Sequence, residues 1–238
     1  MTAIGTSGRE RIIVAMDVPD IARLEAFLDR LEGRPVWYKI GLELFIAEGV
    51  RAIEAVKRRG GKLFLDLKLH DIPETVARSV MSARRLGAEL LTVHAGGGSE
   101  MVARAVAAAE GQLKILAVTL LTSLTQQDLQ ADGIAGNVPE AVSRRARLAR
   151  DAGAAGLVCS PQEVALARAV DDKLLLVVPG IRPSGAALGD QKRVGTPAEA
   201  VAGGADLLVV GRPLREAPSP AAAFDALAAE IDQALRAG

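Results

Sequence analysis

Eight short runs rich in Val, Ile and Leu recur along the chain, each followed by a stretch with helical features. They are IIVAMD (12–17), VWYKI (36–40), KLFLDLK (62–68), ELLTVH (89–94), LKILAVTL (113–120), AGLVCS (155–160), LLLVVPG (174–180) and DLLVVGR (206–212). Most are continuously apolar, which marks strands buried on both faces, as in a parallel sheet. Between them lie amphipathic stretches such as 21–33, where Ile21, Leu24, Leu28 and Leu31 fall at helical spacing, and 139–156. Glycine closes several of these stretches (Gly33, Gly60, Gly61, Gly87, Gly153, Gly203, Gly204), where it suits a helix C-terminus. Eight βα units in 238 residues predict an α/β chain of the (β/α)8 TIM-barrel type, as one domain over residues 1–238. The rival is an open doubly wound sheet, weakened because no GxGxxG follows an early strand. Residues 121–138 read as an elaborated loop after the fifth strand.

Lys plus Arg and Asp plus Glu each total 29, so the chain lacks the basic excess of a dedicated nucleic-acid binder. The single cysteine, Cys159, allows no intrachain disulfide and falls on a strand, where a core role is expected. No run approaches the roughly 20 apolar residues of a membrane-spanning helix, and the first 17 residues lack the apolar core of a signal peptide. These features predict a soluble, cytoplasmic protein without nucleic-acid or membrane partners. Trp37 and Tyr38 are expected in packing, and His94 as a hydrogen-bonded rim residue.

A barrel gathers functional groups at the C-terminal ends of its strands. Asp17, Lys39, Asp66, Lys68 and His94 sit at such ends on the first four strands. Thr122 and Ser123 follow the fifth, Arg182 the seventh and Arg212 the eighth. In KLFLDLKLHDIPETV (62–76), alternation puts Phe64, Asp66 and Lys68 on one face and Leu63, Leu65, Leu67 and Leu69 on the other. The leucines belong under helices, so the charges point inward and need partners. Lys39 on the neighbouring strand is the natural partner of Asp66. The outcome is either an alternating Lys–Asp reaction centre or a structural ion-pair network. Asp71, Pro73 and Glu74 read as a helix start with Asp71 as N-cap. After the last two strands, Gly211 and Arg212 suit an anion, such as a phosphate, with Gln191 in reach. The small-residue stretch 183–192 suits a lid.

These motifs, with AMD (15–17), KIG (39–41), VHA (93–95), LTS (121–123), PGIRP (179–183), GDQKR (189–193) and VGRP (210–213), resemble the orotidine 5′-phosphate decarboxylase family over nearly the full length, in its shorter, bacterial-type branch. The resemblance implies decarboxylation of orotidine 5′-monophosphate (OMP) to UMP without metal or organic cofactor, by a homodimer with shared sites. It implies an array of Lys39, Asp66, Lys68 and Asp71, with Lys68 as proton donor and Asp71, Ile72 and Thr75 serving the neighbouring subunit's site. It assigns Asp17 to ribose, Thr122 or Ser123 to the pyrimidine, and Arg182, Gln191, Gly211 and Arg212 to the phosphate region. Hexulose-phosphate synthase and ketogulonate-phosphate decarboxylase resemble the same barrel and use Mg²⁺; HDIPETV and PGIRP favour the pyrimidine enzyme. A silent phosphate-binding barrel is the remaining alternative, opposed by the four charged array residues.

Overall fold

Side chains alternate along each strand between two apolar cores, which explains why the strands read as unbroken hydrophobic runs. Ile13, Ala15, Trp37, Phe64, Leu90, Leu116, Leu175, Val177, Leu207 and Val209 form the inner cluster. Their neighbours in sequence, among them Ile12, Val14, Tyr38, Ile40, Leu63, Leu65, Leu91 and Val93, join helix residues such as Leu24, Leu28, Val56 and Val80 in the outer one. Leu67 and Leu69 pack on that outer core, as the leucine face of the third strand requires. Trp37 is in the inner core, and Tyr38 and Cys159 are in the outer, matching their expected packing roles.

The computed structural model describes residues 5–182 and 195–237. Eight parallel strands close into a barrel in chain order: β1 (Ile12–Ala15), β2 (Trp37–Gly41), β3 (Lys62–Leu69), β4 (Leu90–His94), β5 (Lys114–Val118), β6 (Gly156–Val158), β7 (Leu175–Val178) and β8 (Leu207–Val210). Closure comes from pairing of β1 with β8, in the register Ile12 to Leu208, Ile13 to Val209 and Val14 to Val210. All eight expected strands are present. Five stop short of their expected C-terminal ends, because the chain leaves the ladder to build the rim. Asp17, Ser160, Gly180 and Gly211 therefore stand beyond the paired residues. Among the described residues no helix is long and apolar enough to cross a membrane.

Two helical expectations need correction. The stretch 139–156 is a helix over Val138–Asp151 only. Gly153 reverses the chain at φ +84°, and Gly156 opens β6. The segment 121–138 is not all loop: Gln126–Ala131 is helical, capped by Thr125, whose N–H and hydroxyl both donate to the Asp128 carboxylate at 2.7 Å. This T-x-x-D capping box is visible in the sequence. Leu129 of that helix joins Leu120, Ala141 and Val142 in a satellite core, so the insertion carries its own apolar support.

Gly156 is required by space. A Cβ there would lie 2.2 Å from the Leu175 carbonyl oxygen and 2.7 Å from the Leu175 Cβ, and a neighbouring strand's backbone cannot move aside cheaply. Gly156→Ala is expected to lower stability by about 2–3 kcal/mol. Urea unfolding would measure it; an unchanged midpoint would contradict this packing.

Candidate active site

The inner core ends in an apolar floor, and the next layer up is charged. Ala15, Phe64, Val158 and Val209 lie at the base of a cavity of about 460 Å³ whose lining also includes Asp17, Lys39, Asp66, Lys68, Arg182 and Arg212. One strand step past each apolar residue brings the charge: Asp17 follows Ala15 by two, Lys39 follows Trp37, and Asp66 follows Phe64.

These side chains form one chain of contacts. Lys39 Nζ lies 3.0 Å from Asp17 Oδ1 and 3.5 Å from Asp66 Oδ2, and Lys68 Nζ lies 2.8 Å from Asp66 Oδ1. Gly41 makes room for the first pair, since a Cβ there would fall 3.0 Å from Lys39 Nζ. Lys39 is only 7% exposed. Burial by itself would lower its pKa, but Asp66 and Asp17 outweigh it, and the ammonium is held above its usual range. Burial works equally against the Asp66 carboxylate. Lys39, Lys68 and the hydrogen bonds from Lys68 and Thr92 win, and its pKa is lowered. Both groups are thus held charged where an isolated charge would be expelled.

Lys68 reaches the cavity on the face that alternation gives it, by way of a bulge in β3. Leu65 pairs with Leu91 and Leu69 with Val93, so four steps along β3 match two along β4. In that bulge Lys68 takes φ +48°, a left-handed conformation uncommon for a residue with a side chain. Its N–H donates to Thr92 Oγ1 at 2.9 Å, and the Thr92 hydroxyl donates to Asp66 Oδ1 at 3.0 Å.

On the β7–β8 side, Pro179, Gly180, Arg182, Gly211 and Arg212 line the cavity. Arg182 is buried, with its guanidinium donating to the Ile181 carbonyl at 2.9 Å. Ile181 bridges to Gly195. Gln191 and the expected lid, 183–192, lie outside the described residues. Thr122 lines the cavity, whereas Ser123 is exposed and absent from its wall.

Asp71, Ile72 and Thr75 are also outside this cavity and exposed, with Ile72 at 66%. The expectation that Asp71 caps the following helix is corrected. Ile72 is the N-cap and Pro73 the first helical residue, because Pro fits best where no N–H is needed. Asp71 instead accepts the Ile72 N–H at 2.6 Å.

Three contributors escaped the sequence reading. Arg215 lines the cavity and donates to the Asp17 carbonyl at 2.5 Å; its position three residues after Arg212 is a weak signal. Gly41 has no chemistry to flag it beyond its place in KIG. Thr92 is a hydroxyl on the inward face of β4, between Leu90 and His94, and that was the signal available.

A match of the family model for orotidine 5′-phosphate decarboxylase / HUMPS covers residues 10–227. The chain belongs to that family. The orotidine 5′-phosphate decarboxylase of Anaeromyxobacter sp. (strain K) is 58% identical over 223 residues, 93% of this chain and 98% of that one. The Geobacter metallireducens protein of the same name is 47% identical over 230 residues, 94% of this chain and 96% of its own. The crystal structure of the Lactobacillus acidophilus orotidine 5′-phosphate decarboxylase superposes with a TM-score of 0.82 at 35% identity, covering 93% of this chain and 98% of that one. Among the described residues, no group of three or more His, Cys, Asp or Glu side chains is arranged for a metal ion.

His94, at the end of β4, departs from expectation. Its ring packs on His70, with centroids 5.3 Å apart, and makes no hydrogen bond among the described residues. Burial first, then His70, Lys68 and Arg145, push its pKa from 6.5 down to about 4. The unfolded chain therefore takes up this proton earlier than the fold as pH falls. Stability from this group is full above about pH 6.5 and is lost toward pH 4. Solvent screening of the half-buried ring limits the loss to about 1 kcal/mol. Denaturant titrations from pH 7 to 4 should show His94→Gln losing less stability than the parent; parallel pH profiles would contradict it.

Proposed function

We propose that the chain decarboxylates OMP to UMP and carbon dioxide, with Lys68 supplying the proton to C6. The observation that carries this reading is the Asp17–Lys39–Asp66–Lys68 array at the mouth of an apolar-floored cavity. Loss of carbon dioxide leaves negative charge on carbon, and a fixed ammonium is the group that stabilises it and then protonates it. Asp66 holds Lys68 Nζ at 2.8 Å, so little reorganisation is left for the reacting moment. Five cationic and two anionic side chains line the cavity among the described residues, which suits a substrate carrying both carboxylate and phosphate.

Arg182 and Arg212, with the backbone at Gly211, take the phosphate in this reading, and Gln191 belongs to the same region. Asp17 takes ribose hydroxyls and Thr122 the pyrimidine. No step calls for a metal or organic cofactor. The related sugar-phosphate chemistry within the family would run through Mg²⁺ and an enediolate, so chelation separates the two. OMP turnover by the purified chain, followed by ultraviolet absorbance, should persist in EDTA. Lys68→Ala should lower it by at least about a thousandfold while UMP still binds. Near-normal turnover by Lys68→Ala would remove Lys68 as the proton donor.

The working unit in this reading is a homodimer in which Asp71, Ile72 and Thr75 enter the neighbour's site. Their exposure outside their own chain's cavity supports it, as does the bare apolar surface of Ile72. Lys68→Ala and Asp71→Ala should each be inactive alone. Dissociated and reassembled together, they should recover about a quarter of parental activity, because half the dimers are hybrids with one intact site of two. No recovery from verified hybrids would place Asp71 in its own chain's site.

A further inference from the structure

Thr92 is fully buried in β4, yet it bears the only hydroxyl of that strand. Its oxygen accepts the Lys68 N–H at 2.9 Å and its proton goes to Asp66 Oδ1 at 3.0 Å. A hydroxyl has one proton to give, so these two partners fix its direction: a backbone N–H can only donate and a carboxylate can only accept. The same Asp66 carboxylate contacts Lys39 through one oxygen and Lys68 through the other. The Thr92 oxygen also stands in the gap where β3 has left the β4 ladder, between Leu65 and Leu69. It satisfies the N–H of the one residue of β3 with a left-handed backbone.

We propose that Thr92 is a positioning residue. Its hydroxyl holds the bulge at Lys68 and the rotation of the Asp66 carboxylate together, and so sets the direction in which Lys68 Nζ points. This rests on the decarboxylase reading for its catalytic consequence, though not for its structural one. Valine in place of threonine keeps the shape and removes both hydrogen bonds. The Lys68 N–H and one Asp66 oxygen then each lose a partner, and the bulge loses its cross-strand tie.

The test compares Thr92→Val with Thr92→Ser, which keeps the hydroxyl. With OMP, the valine variant is expected to lose roughly 10- to 100-fold in kcat, the scale on which misplaced reacting groups act. Its KM should stay within about threefold, because the proposed phosphate contacts lie on β7 and β8. The serine variant should stay within about threefold of the parent in both constants. Carbon-13 NMR titration of the Asp66 carboxyl, without substrate, should show a higher midpoint in the valine variant and little change in the serine variant, since a hydrogen bond to the charged form has gone. If Thr92→Val does not fold, Thr92→Ala against Thr92→Ser reads the same hydroxyl. A hydroxyl-free variant with parental kcat and an unmoved Asp66 midpoint would overturn the proposal. So would a serine variant that falls as far as the hydroxyl-free one. If the parent chain itself does not turn over OMP, the decarboxylase reading fails, and the carboxyl titration still decides the role of Thr92.

Discussion

Lys39 and Asp66 are two opposite charges with little solvent exposure, and neither is tolerable there alone. Moving one such ion from water into a protein interior costs several kcal/mol even after relaxation. Here each is the other's compensation, with Asp17 and Lys68 extending the pair at both ends. Their pKa directions say the same thing: burial opposes both ionised forms, and the partners overcome it. The arrangement gives fixed charges already oriented before any ligand arrives, so a reaction that develops charge in this cavity meets a field needing no rearrangement.

The barrel is what makes this arrangement affordable in a chain with few aromatics. Parallel strands with side-chain period two stack inward residues in layers, so an apolar layer through Ala15, Phe64, Val158 and Val209 supports the charged layer above it. The charges need not interrupt the folding core, because they begin where that core ends. β3 carries the exception. A regular strand would have continued up the wall; the bulge turns it, and brings Lys68 Nζ to within 2.8 Å of an aspartate two residues earlier. The site therefore depends on a regular scaffold and one local departure from it.

Legibility in the sequence followed this division. The strands, their order, the inward face of Asp66 and Lys68 and the convergence of Asp17 and Lys39 on the same rim were readable because period-two alternation and apolar runs are properties of short segments. The corrections concern features set by single contacts. Asp71 looked like an N-cap by residue type, but Pro73 sets the helix start one position later than that reading allows. The helix at Gln126–Ala131 was masked by surrounding Gly and Asn, although Thr125 and Asp128 announce it. Thr92 and Arg215 were hard to read for a different reason. Each acts on a residue distant in sequence, Thr92 across 24 or 26 positions and Arg215 across 198. Composition and spacing along one strand carry no trace of such a pairing.

The cavity also separates two tasks by strand. The carboxylate–ammonium array belongs to β1, β2 and β3, while Arg182 and Arg212 follow β7 and β8. In the proposed reading, an anion held by the arginines binds on a different set of strands from the bond broken beside Lys68. Its binding energy is then available to bring the substrate against a site whose charges are already in place. Asp17 and Arg215 join the two halves: the Asp17 carboxylate grips Lys39, and its backbone carbonyl is held by Arg215 from beyond β8. β1 pairs with both β2 and β8, so this junction sits at the seam where the barrel closes. Closure of the sheet and assembly of the site are in that sense one event, since the charged array and the arginine wall become neighbours only when β8 reaches β1.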